Sequence, residues 1–219
     1  MQFEVALFDL DGTVFDTEPQ YTLFWGSIGK EYHPEITDFA QRIKGTTLSQ
    51  ILDTYFPDKE MQKNIVAQLD EWEKKMYYPF VSGVKKFIMD LRKNGVKTAI
   101  VTSSNKKKMV NVQECVPEFG ELFDKILTAE MFAASKPNPD CYLRGASAFE
   151  ADLNRCVVFE DAFTGLQAGM QSGIMTIGIA TTNSLDSIRP CCHHAFEDFN
   201  SLTFSHVELL LQEYVKTFS

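Results

Sequence analysis

Short apolar segments recur along the chain, and each is followed at once by polar or small residues. The apolar positions are continuous within each segment rather than alternating, which is typical of strands covered on both faces, as in a parallel sheet. Stretches with helical periodicity separate the segments, so the pattern predicts an α/β fold with a doubly wound parallel sheet. The predicted strands are Phe3–Phe8, Lys97–Val101, Asp124–Leu127, Cys156–Phe159 and Met175–Ile179.

Helix ends can be located between and after these strands. Residues 83–94 carry apolar side chains on one helical face, and Asn94-Gly95 is typical of a C-terminal cap. Asn138-Pro139-Asp140 predicts an N-cap with proline in the first turn of the helix. A last helix is predicted over residues 203–217.

The alternation of strands and helices is interrupted between about Asp16 and Pro79, where helical periodicity dominates. We therefore predict that residues 1–15 and 80–219 form the α/β core and that residues 16–79 form an inserted α-helical cap domain. Such a cap would cover the carboxyl edge of the sheet, where active sites of this architecture lie. The apolar stripes of the predicted cap helices are Ile36, Phe39 and Ile43; Leu48, Ile51, Leu52 and Tyr55; and Met61, Ile65, Leu69, Trp72 and Met76.

The composition is that of a soluble globular protein, with 44% hydrophobic and 23% charged residues in a chain of 219. The net charge of −9 argues against partners that require a basic face, so we expect neither nucleic acid nor an anionic membrane to bind. No apolar run is long enough to span a bilayer and no signal sequence is recognisable, so we expect a cytoplasmic location.

Five cysteines without regular spacing fit a reduced compartment. Cys191-Cys192 precedes His193-His194, but adjacent cysteines cannot easily direct both thiolates to one tetrahedral ion. We interpret this stretch as a loop rather than as a metal site.

Four further polar elements come directly after apolar segments or lie on the turn that follows one. Because the carboxyl ends of parallel strands lie at one edge of a sheet, we expect these elements to converge although they are far apart in sequence. They are Asp9 and Asp11, Thr102-Ser103-Ser104, Lys136, and Glu160-Asp161.

The chemistry of these elements is mutually consistent. Carboxylates brought together repel each other unless a cation lies among them, and Mg²⁺ prefers a few carboxylates with water and a phosphate oxygen. Lysine and hydroxyl donors beside them suit a phosphoryl group, which one aspartate can accept while another manages a proton. Each element alone also has an ordinary explanation as a turn, a helix cap, a helix N-terminus or a solvated lysine. Together, in this order, they favour phosphoryl chemistry.

Four motifs resemble those of the haloacid dehalogenase superfamily: DLDGT at Asp9–Thr13, VTSS at Val101–Ser104, SKPNPD at Ser135–Asp140 and FEDAFTGLQAG at Phe159–Gly169. The fuller resemblance is to the β-phosphoglucomutase-like phosphatase branch, and it covers essentially the whole chain. It implies a Rossmann-like core with a helical cap, Mg²⁺ as cofactor and a small phosphorylated metabolite as substrate.

The resemblance also implies roles for the carboxylates. Asp9 matches the nucleophile, and Asp11 matches the general acid and base, whose backbone carbonyl also binds the metal. Asp161 matches the principal acidic metal ligand, and Glu160 matches the second, which binds directly or through water. The implied metal ligands are therefore Asp9, Asp11, Glu160 and Asp161.

Substrate-binding groups follow from the same resemblance. Thr102, with Ser103 beside it, matches the hydroxyl that binds the phosphoryl oxygens, and Lys136 matches the lysine that steadies nucleophile and phosphoryl group. Lys44 of the predicted cap is either a further contact to the substrate or a solvated loop lysine.

Asp11 narrows the choice within the family. Dehalogenases of the superfamily lack this aspartate and phosphonoacetaldehyde hydrolases typically have alanine there, so Asp11 favours transfer of phosphate from an ester or anhydride. β-Phosphoglucomutases have a histidine where this chain has Tyr21 and an arginine where it has Leu48. Since a mutase must also hold a second phosphate, both departures favour a phosphatase, with a phosphosugar mutase as the alternative.

A non-catalytic phosphometabolite-binding module is a third hypothesis. It is disfavoured because every catalytic position carries a chemically competent residue. We expect a monomer or a weak dimer.

Overall fold

The apolar segments form a parallel sheet in the computed structural model, which describes residues 2–43 and 46–218. The strands are β1 (Val5–Phe8), β2 (Lys97–Val101), β3 (Lys125–Leu127), β4 (Cys156–Glu160), β5 (Met175–Ile179) and β6 (His194–Phe196). Within the described residues they lie in the order β3-β2-β1-β4-β5-β6, and all neighbours are parallel. The chain order reverses at β1, and in open α/β sheets ligands bind outside the carboxyl ends of the strands at such a point.

The predicted α/β class and the predicted strands are confirmed, with strand ends displaced by no more than two residues. The sixth strand, β6, was not predicted. The stretch from Cys191 to His194 was interpreted as a loop, and this is wrong at His194, where β6 begins and pairs with β5. As an edge strand whose residues are only half-buried, β6 lacks the continuous apolar run that marks the inner strands.

Residues 16–79, here called the helical insertion, contain helices that pack on one another. Their shared apolar cluster includes Phe24, Trp25, Phe39, Phe56 and Ile65. Two helix starts carry side-chain caps, a Thr47–Gln50 capping box and Asp58. The helices are α1 (Glu18–Tyr32), α2 (Phe39–Arg42), α3 (Leu48–Tyr55) and α4 (Lys59–Glu73).

Two apolar clusters cover the two faces of the sheet. Along β1, Ala6 and Phe8 belong to one cluster, and Val5 and Leu7 belong to the other. Because both faces are buried, every position of β1 is apolar, which explains the continuous run in the sequence. The flanking helices are α5 (Val84–Lys93), α6 (Lys106–Cys115), α7 (Phe119–Leu122), α8 (Asp140–Ser147), α9 (Phe163–Ser172), α10 (Leu185–Ile188) and α11 (Phe204–Phe218).

The predicted helix ends agree with the structure in one case and need correction in another. Asn94 is the C-cap residue of α5, and Gly95 after it adopts the φ of +82° that such a helix end requires. The helix α8 begins at Asp140 and is preceded by Pro139, so Asn138 is not its N-cap residue. The Asn138 side chain still accepts a hydrogen bond from the backbone N–H of Asp140 at 3.0 Å, because asparagine stabilises turns in this way.

Candidate active site

Three buried carboxylates meet at the carboxyl ends of β1 and β4. Oxygens of Asp9, Glu160 and Asp161 lie within 4.8 Å of one another, and we call these residues the acidic cluster. The register of the two strands places Phe8 opposite Phe159, and therefore brings the residues that follow them side by side. Each of the three residues is at most 8% exposed, so their charges are shielded little by water.

Lys136 provides the positive charge inside the acidic cluster. Its Nζ lies 2.6 Å from Oδ1 of Asp9 and 2.6 Å from Oε1 of Glu160, and it sits over the ring of Tyr142. Burial raises the pKa of Asp9 to about 7, although Lys136 opposes this shift and Glu160 adds to it. Burial would lower the pKa of Lys136, but the carboxylates of Asp9 and Glu160 raise it well above its ordinary value.

Glu160 is held by backbone and side-chain donors. Its Oε2 accepts hydrogen bonds from the backbone N–H groups of Asp161 and Ala162, and its Oε1 accepts one from the hydroxyl of Tyr142. A Cβ at Gly165 would lie 1.7 Å from Oε1 of Glu160, so only glycine leaves room for this carboxylate. Gly165 therefore makes room for the acidic cluster.

The carboxylate of Asp161 accepts hydrogen bonds from two hydroxyl groups. Oδ1 accepts from Thr13 at 2.8 Å, and Oδ2 accepts from Thr182. Burial raises the pKa of Asp161 well above its ordinary value, and the neighbouring carboxylates of Glu160 and Asp9 raise it further. Gly12 adopts a φ of +83°, and a Cβ there would lie 2.0 Å from Oδ2 of Asp161.

The donor set of the acidic cluster fits a small divalent cation. One ammonium, that of Lys136, contacts two of the three carboxylates, so the cluster keeps a charge of −2 when all three are ionised. Hard oxygen ligands of this kind are those that Mg²⁺ prefers, and such a cation would offset the mutual repulsion that adds to the effect of burial on the pKa of Asp9 and Asp161.

Asp11 lies at the same edge but outside the acidic cluster. Both of its oxygens are 2.6 Å from Nζ of Lys108, and each accepts a further hydrogen bond, from Thr17 at 2.7 Å and from Ser104 at 2.9 Å. Burial alone would raise the pKa of Asp11, but the ammonium of Lys108 and these hydrogen bonds lower it below its ordinary value. The pKa values of Asp9 and Asp11 are therefore shifted in opposite directions by their surroundings.

The turn after β2 contributes hydroxyls and begins α6. Thr102 is buried, and its Oγ1 accepts a hydrogen bond from the backbone N–H of Ser104 at 3.0 Å, whereas Ser103 is exposed. Asn105 caps α6, with its side chain accepting from the backbone N–H of Lys108 at 2.8 Å. This cap places Lys108 in the first turn of α6, facing Asp11.

A cleft of about 470 Å³ lies between the helical insertion and the core, and the acidic cluster and Asp11 both line it. Its described lining includes all the predicted site residues except Lys44, which lies outside the described residues. The insertion contributes an apolar wall that also carries polar side chains, among them Asp70 and Glu73, while the turns after β1, β2 and β4 contribute the polar groups of the predicted site. The wall residues include Trp25, Ile43, Leu48, Ile51, Val66 and Leu69.

Several residues of the site were not predicted from the sequence. Thr13, Thr182 and Lys108 contact the predicted carboxylates directly, and Tyr142 contacts Glu160. Thr13 belongs to the first motif, so a motif-based reading could have included it. Lys108 and Tyr142 lie on helices, and Thr182 lies in the loop after β5; none of them belongs to a recognisable local sequence pattern.

A family model for haloacid dehalogenase-like hydrolases matches residues 6–179. The chain belongs to this family. The matched region runs from β1 to the end of β5 and includes the acidic cluster and Asp11, so the expected resemblance is confirmed.

Two curated relatives illustrate the range of the family. This hydrolase is 28% identical over 203 residues to glycerol-1-phosphate phosphohydrolase 2 of Saccharomyces cerevisiae, covering 86% of this chain and 79% of the relative. It is 25% identical over 181 residues to a phosphorylated carbohydrates phosphatase of Thermotoga maritima, covering 80% and 83% of the two chains.

A solved structure with a similar fold is that of β-phosphoglucomutase from Clostridium difficile. It superposes on this hydrolase with a TM-score of 0.82 and 19% sequence identity, covering 99% of this chain and 100% of that chain. Among the residues described, no helix of this hydrolase has both the length and the apolar character needed to cross a membrane.

Proposed function

We propose that this hydrolase is a Mg²⁺-dependent phosphatase of a small phosphorylated metabolite, such as a sugar phosphate, and that it acts through an aspartyl-phosphate. The observation that carries the proposal is the placement of the Asp9 carboxylate, held by Lys136 at 2.6 Å within the acidic cluster and lining the cleft. Relatives named as phosphatases of phosphorylated carbohydrates and of glycerol phosphate support the substrate class.

Asp9 is the proposed nucleophile. One carboxylate oxygen of Asp9 forms a bond to phosphorus while the bond from phosphorus to the leaving oxygen breaks. Lys136, already in contact with Asp9, donates hydrogen bonds to the oxygens of the transferring group, and Thr102 adds a hydroxyl. In the second step a water oxygen bonds to phosphorus and the bond to Asp9 breaks, which releases phosphate.

The proposed metal site consists of Asp9, Glu160 and Asp161, with the backbone carbonyl of Asp11. Mg²⁺ bound there would supply positive charge to offset the negative charge of the phosphoryl group.

Asp11 is the proposed general acid and base. The low pKa of Asp11 keeps it ionised in the present arrangement, which is the form that takes a proton from the attacking water in the second step. In the first step the leaving oxygen needs a proton, so Asp11 must first take one up and its contacts with Lys108 must lengthen.

The helical insertion is the proposed cap, with core residues 1–15 and 80–219 and cap residues 16–79. Its apolar wall would exclude water from the cleft during the first step, when water would compete as a nucleophile. Lys44 of this segment stays a proposed substrate contact.

Hydrolysis is favoured over mutase chemistry by the charges of the cleft. Within the described lining the lysines are Lys108 and Lys136, and both already pair with carboxylates. Tyr21, which stands where the mutases have histidine, donates its hydroxyl to Glu73 at 2.8 Å. The described cleft thus offers no unpaired cation for the second phosphate that a mutase must hold.

A panel of phosphorylated metabolites, assayed for released phosphate with MgCl₂ or with a chelator, tests the proposal. We expect hydrolysis of sugar and polyol monophosphates that chelator abolishes and Mg²⁺ restores. Binding without turnover across the panel would favour the non-catalytic module. Conversion of β-glucose 1-phosphate to glucose 6-phosphate in the presence of a bisphosphate primer would favour the mutase.

A further inference from the structure

Lys108 is a buried lysine to which the proposed mechanism assigns no part of its own. It is the last of three consecutive lysines, yet it is only 2% exposed while Lys106 and Lys107 are exposed. A buried ammonium is costly unless it is paired and hydrogen-bonded. The contacts that offset this cost lie on both sides of Lys108, in the core and in the helical insertion.

On the core side, Lys108 contacts both oxygens of Asp11 at 2.6 Å. Thr17 and Ser104 contact one oxygen each. A group that contacts both oxygens restricts rotation of the carboxylate. A donor to one oxygen can be replaced by water while the carboxylate keeps its orientation. When water takes the place of one hydroxyl donor, Lys108 can still hold the plane of the Asp11 carboxylate.

On the side of the insertion, Lys108 is held by an aromatic ring and lies near a buried carboxylate. Its Nζ lies 4.7 Å from the centre of the Tyr21 ring, within the range of a cation–π contact. The hydroxyl of Tyr21 donates to Oε1 of Glu73 at 2.8 Å, and Glu73 is 8% exposed. Tyr78 also donates to the backbone carbonyl of Glu73, at 3.2 Å.

We infer that Lys108 is a positioning residue that orients the Asp11 carboxylate for hydrolysis of the phosphorylated enzyme, and that Tyr21 and Glu73 hold Lys108 in place. This inference rests on the proposed function, because it assumes that Asp11 takes a proton from water in the second step. It links the orientation of a core residue to α1 and α4 of the insertion.

Stopped-flow release of nitrophenol from p-nitrophenyl phosphate separates the two steps. Nitrophenolate leaves without a proton, so the first step does not need Asp11, whereas breakdown of the phosphorylated enzyme does. For Lys108→Met we expect a burst of about one nitrophenol per active site, followed by a steady-state rate about 10- to 100-fold below that of the wild type. Lys107→Met, which removes a neighbouring exposed ion pair with Asp70, should stay within about 2-fold.

A double-mutant cycle identifies the route of the effect. If Lys108 acts through Asp11, adding Lys108→Met to Asp11→Asn should leave the steady-state rate unchanged. Losses that multiply, a rise in KM with kcat unchanged, or equal losses in burst and steady state would overturn the inference. Lys108→Gln, which keeps one donor, should show a smaller loss and serves if Lys108→Met does not fold.

Thermal unfolding distinguishes failure of the inference from failure of the proposed function. A wild-type protein that releases neither nitrophenol nor phosphate from the metabolite panel would contradict the proposed function. Even then, Lys108→Met should lower Tm in the wild-type background and change it little in the Asp11→Asn background. Equal changes in both backgrounds would show that Lys108 does not act on Asp11.

Discussion

The acidic cluster and the network around Asp11 lie at one edge of the sheet but differ in their balance of charge. In the acidic cluster, three carboxylates are accompanied by one ammonium, that of Lys136, which contacts Asp9 and Glu160, and burial raises the pKa of Asp9 to about 7. In the Asp11 network, one carboxylate has the ammonium of Lys108 to itself, and its pKa is lowered. Two aspartates separated by one residue are thus prepared for different chemistry.

The difference in charge suggests that the acidic cluster and Asp11 serve different steps of one reaction. A cluster with excess negative charge favours a cation and a nucleophile that stays close to it, whereas a charge-balanced carboxylate with four hydrogen bonds favours controlled transfer of a proton. Environments that push the pKa values of neighbouring groups apart are typical of sites that need both an acid or base and a nucleophile. Changes that weaken the acidic cluster or the Asp11 network separately test this difference.

Removal of the ammonium from the acidic cluster should have the largest effect of these changes. Lys136→Met leaves Asp9 and Glu160 without their cation and removes a donor to the transferring phosphoryl group. We expect kcat to fall by about 100- to 1000-fold. Steady-state phosphate release measures this, with the exposed Lys125→Met as control. A Lys136→Met enzyme within a few-fold of wild type would contradict the role of Lys136.

Mg²⁺ should stabilise the wild-type protein and not Asp161→Asn. At 100 times its Kd the ion would add about 2.7 kcal/mol, and for a chain of this size that raises Tm by roughly 5–10 °C. Differential scanning calorimetry with and without MgCl₂ measures the shift. The same shift in Asp161→Asn would place the ion elsewhere.

The Mg²⁺ effect should also depend on pH. The folded protein without the ion holds a proton on Asp9 that the unfolded chain releases, so this contribution to stability is lost as pH rises from 3.8 through about 7. Since Mg²⁺ requires the ionised carboxylate, the Tm shift should be larger at pH 8 than at pH 6. A shift that is larger at pH 6 would contradict the raised pKa of Asp9.

Gly165→Ala should disturb the acidic cluster by crowding Glu160 from α9. The new Cβ would lie 1.7 Å from Oε1 of Glu160, so the carboxylate or α9 must move. We expect the free energy of unfolding to fall by about 1–3 kcal/mol, with a loss of activity. In Gly26→Ala, on α1, the new Cβ meets nothing within 4 Å, and we expect a stabilisation of about 0.4–1 kcal/mol. Equal effects of the two substitutions in urea unfolding would exclude the steric explanation.

Tyr21→Phe should have the smallest effect, and it tests the Asp11 network. The ring over Lys108 remains while the hydrogen bond to Glu73 is lost, which is worth about 0.5–1.5 kcal/mol. We expect a loss of about 2- to 5-fold in the steady-state rate and no change in the nitrophenol burst. A change confined to the burst would show that Tyr21 acts on the first step instead.

The same comparison explains what could be predicted from the sequence. The acidic cluster is built from residues that directly follow strands, so continuous apolar runs ending in Asp9 or Glu160 located it. Lys108 lies on a helix beside two other lysines, and its burial depends on how α6 packs against Asp11 and Tyr21. Neither periodicity nor a motif distinguishes the one buried lysine from its two exposed neighbours.

The edge strand β6 of the sheet was likewise not predicted from the sequence. The inner strands are apolar on both faces and were predicted with nearly correct ends, whereas β6 is only half-buried and lacks that pattern. The helix α1 places Tyr21 against Lys108. Tyr21 shares one face of α1 with Phe24, Trp25 and Ile28, but this apolar stripe was not among those assigned from the sequence.

Acid-quench labelling tests the central claim, that Asp9 receives the phosphoryl group. Enzyme mixed with Mg²⁺ and a radiolabelled phosphomonoester that it hydrolyses is denatured in acid within the first turnover, and the label bound to protein is counted. We predict label on the wild type and none on Asp9→Asn, with the exposed Asp16→Asn as control. Label on Asp9→Asn, or turnover by Asp9→Asn at the wild-type rate, would contradict the account.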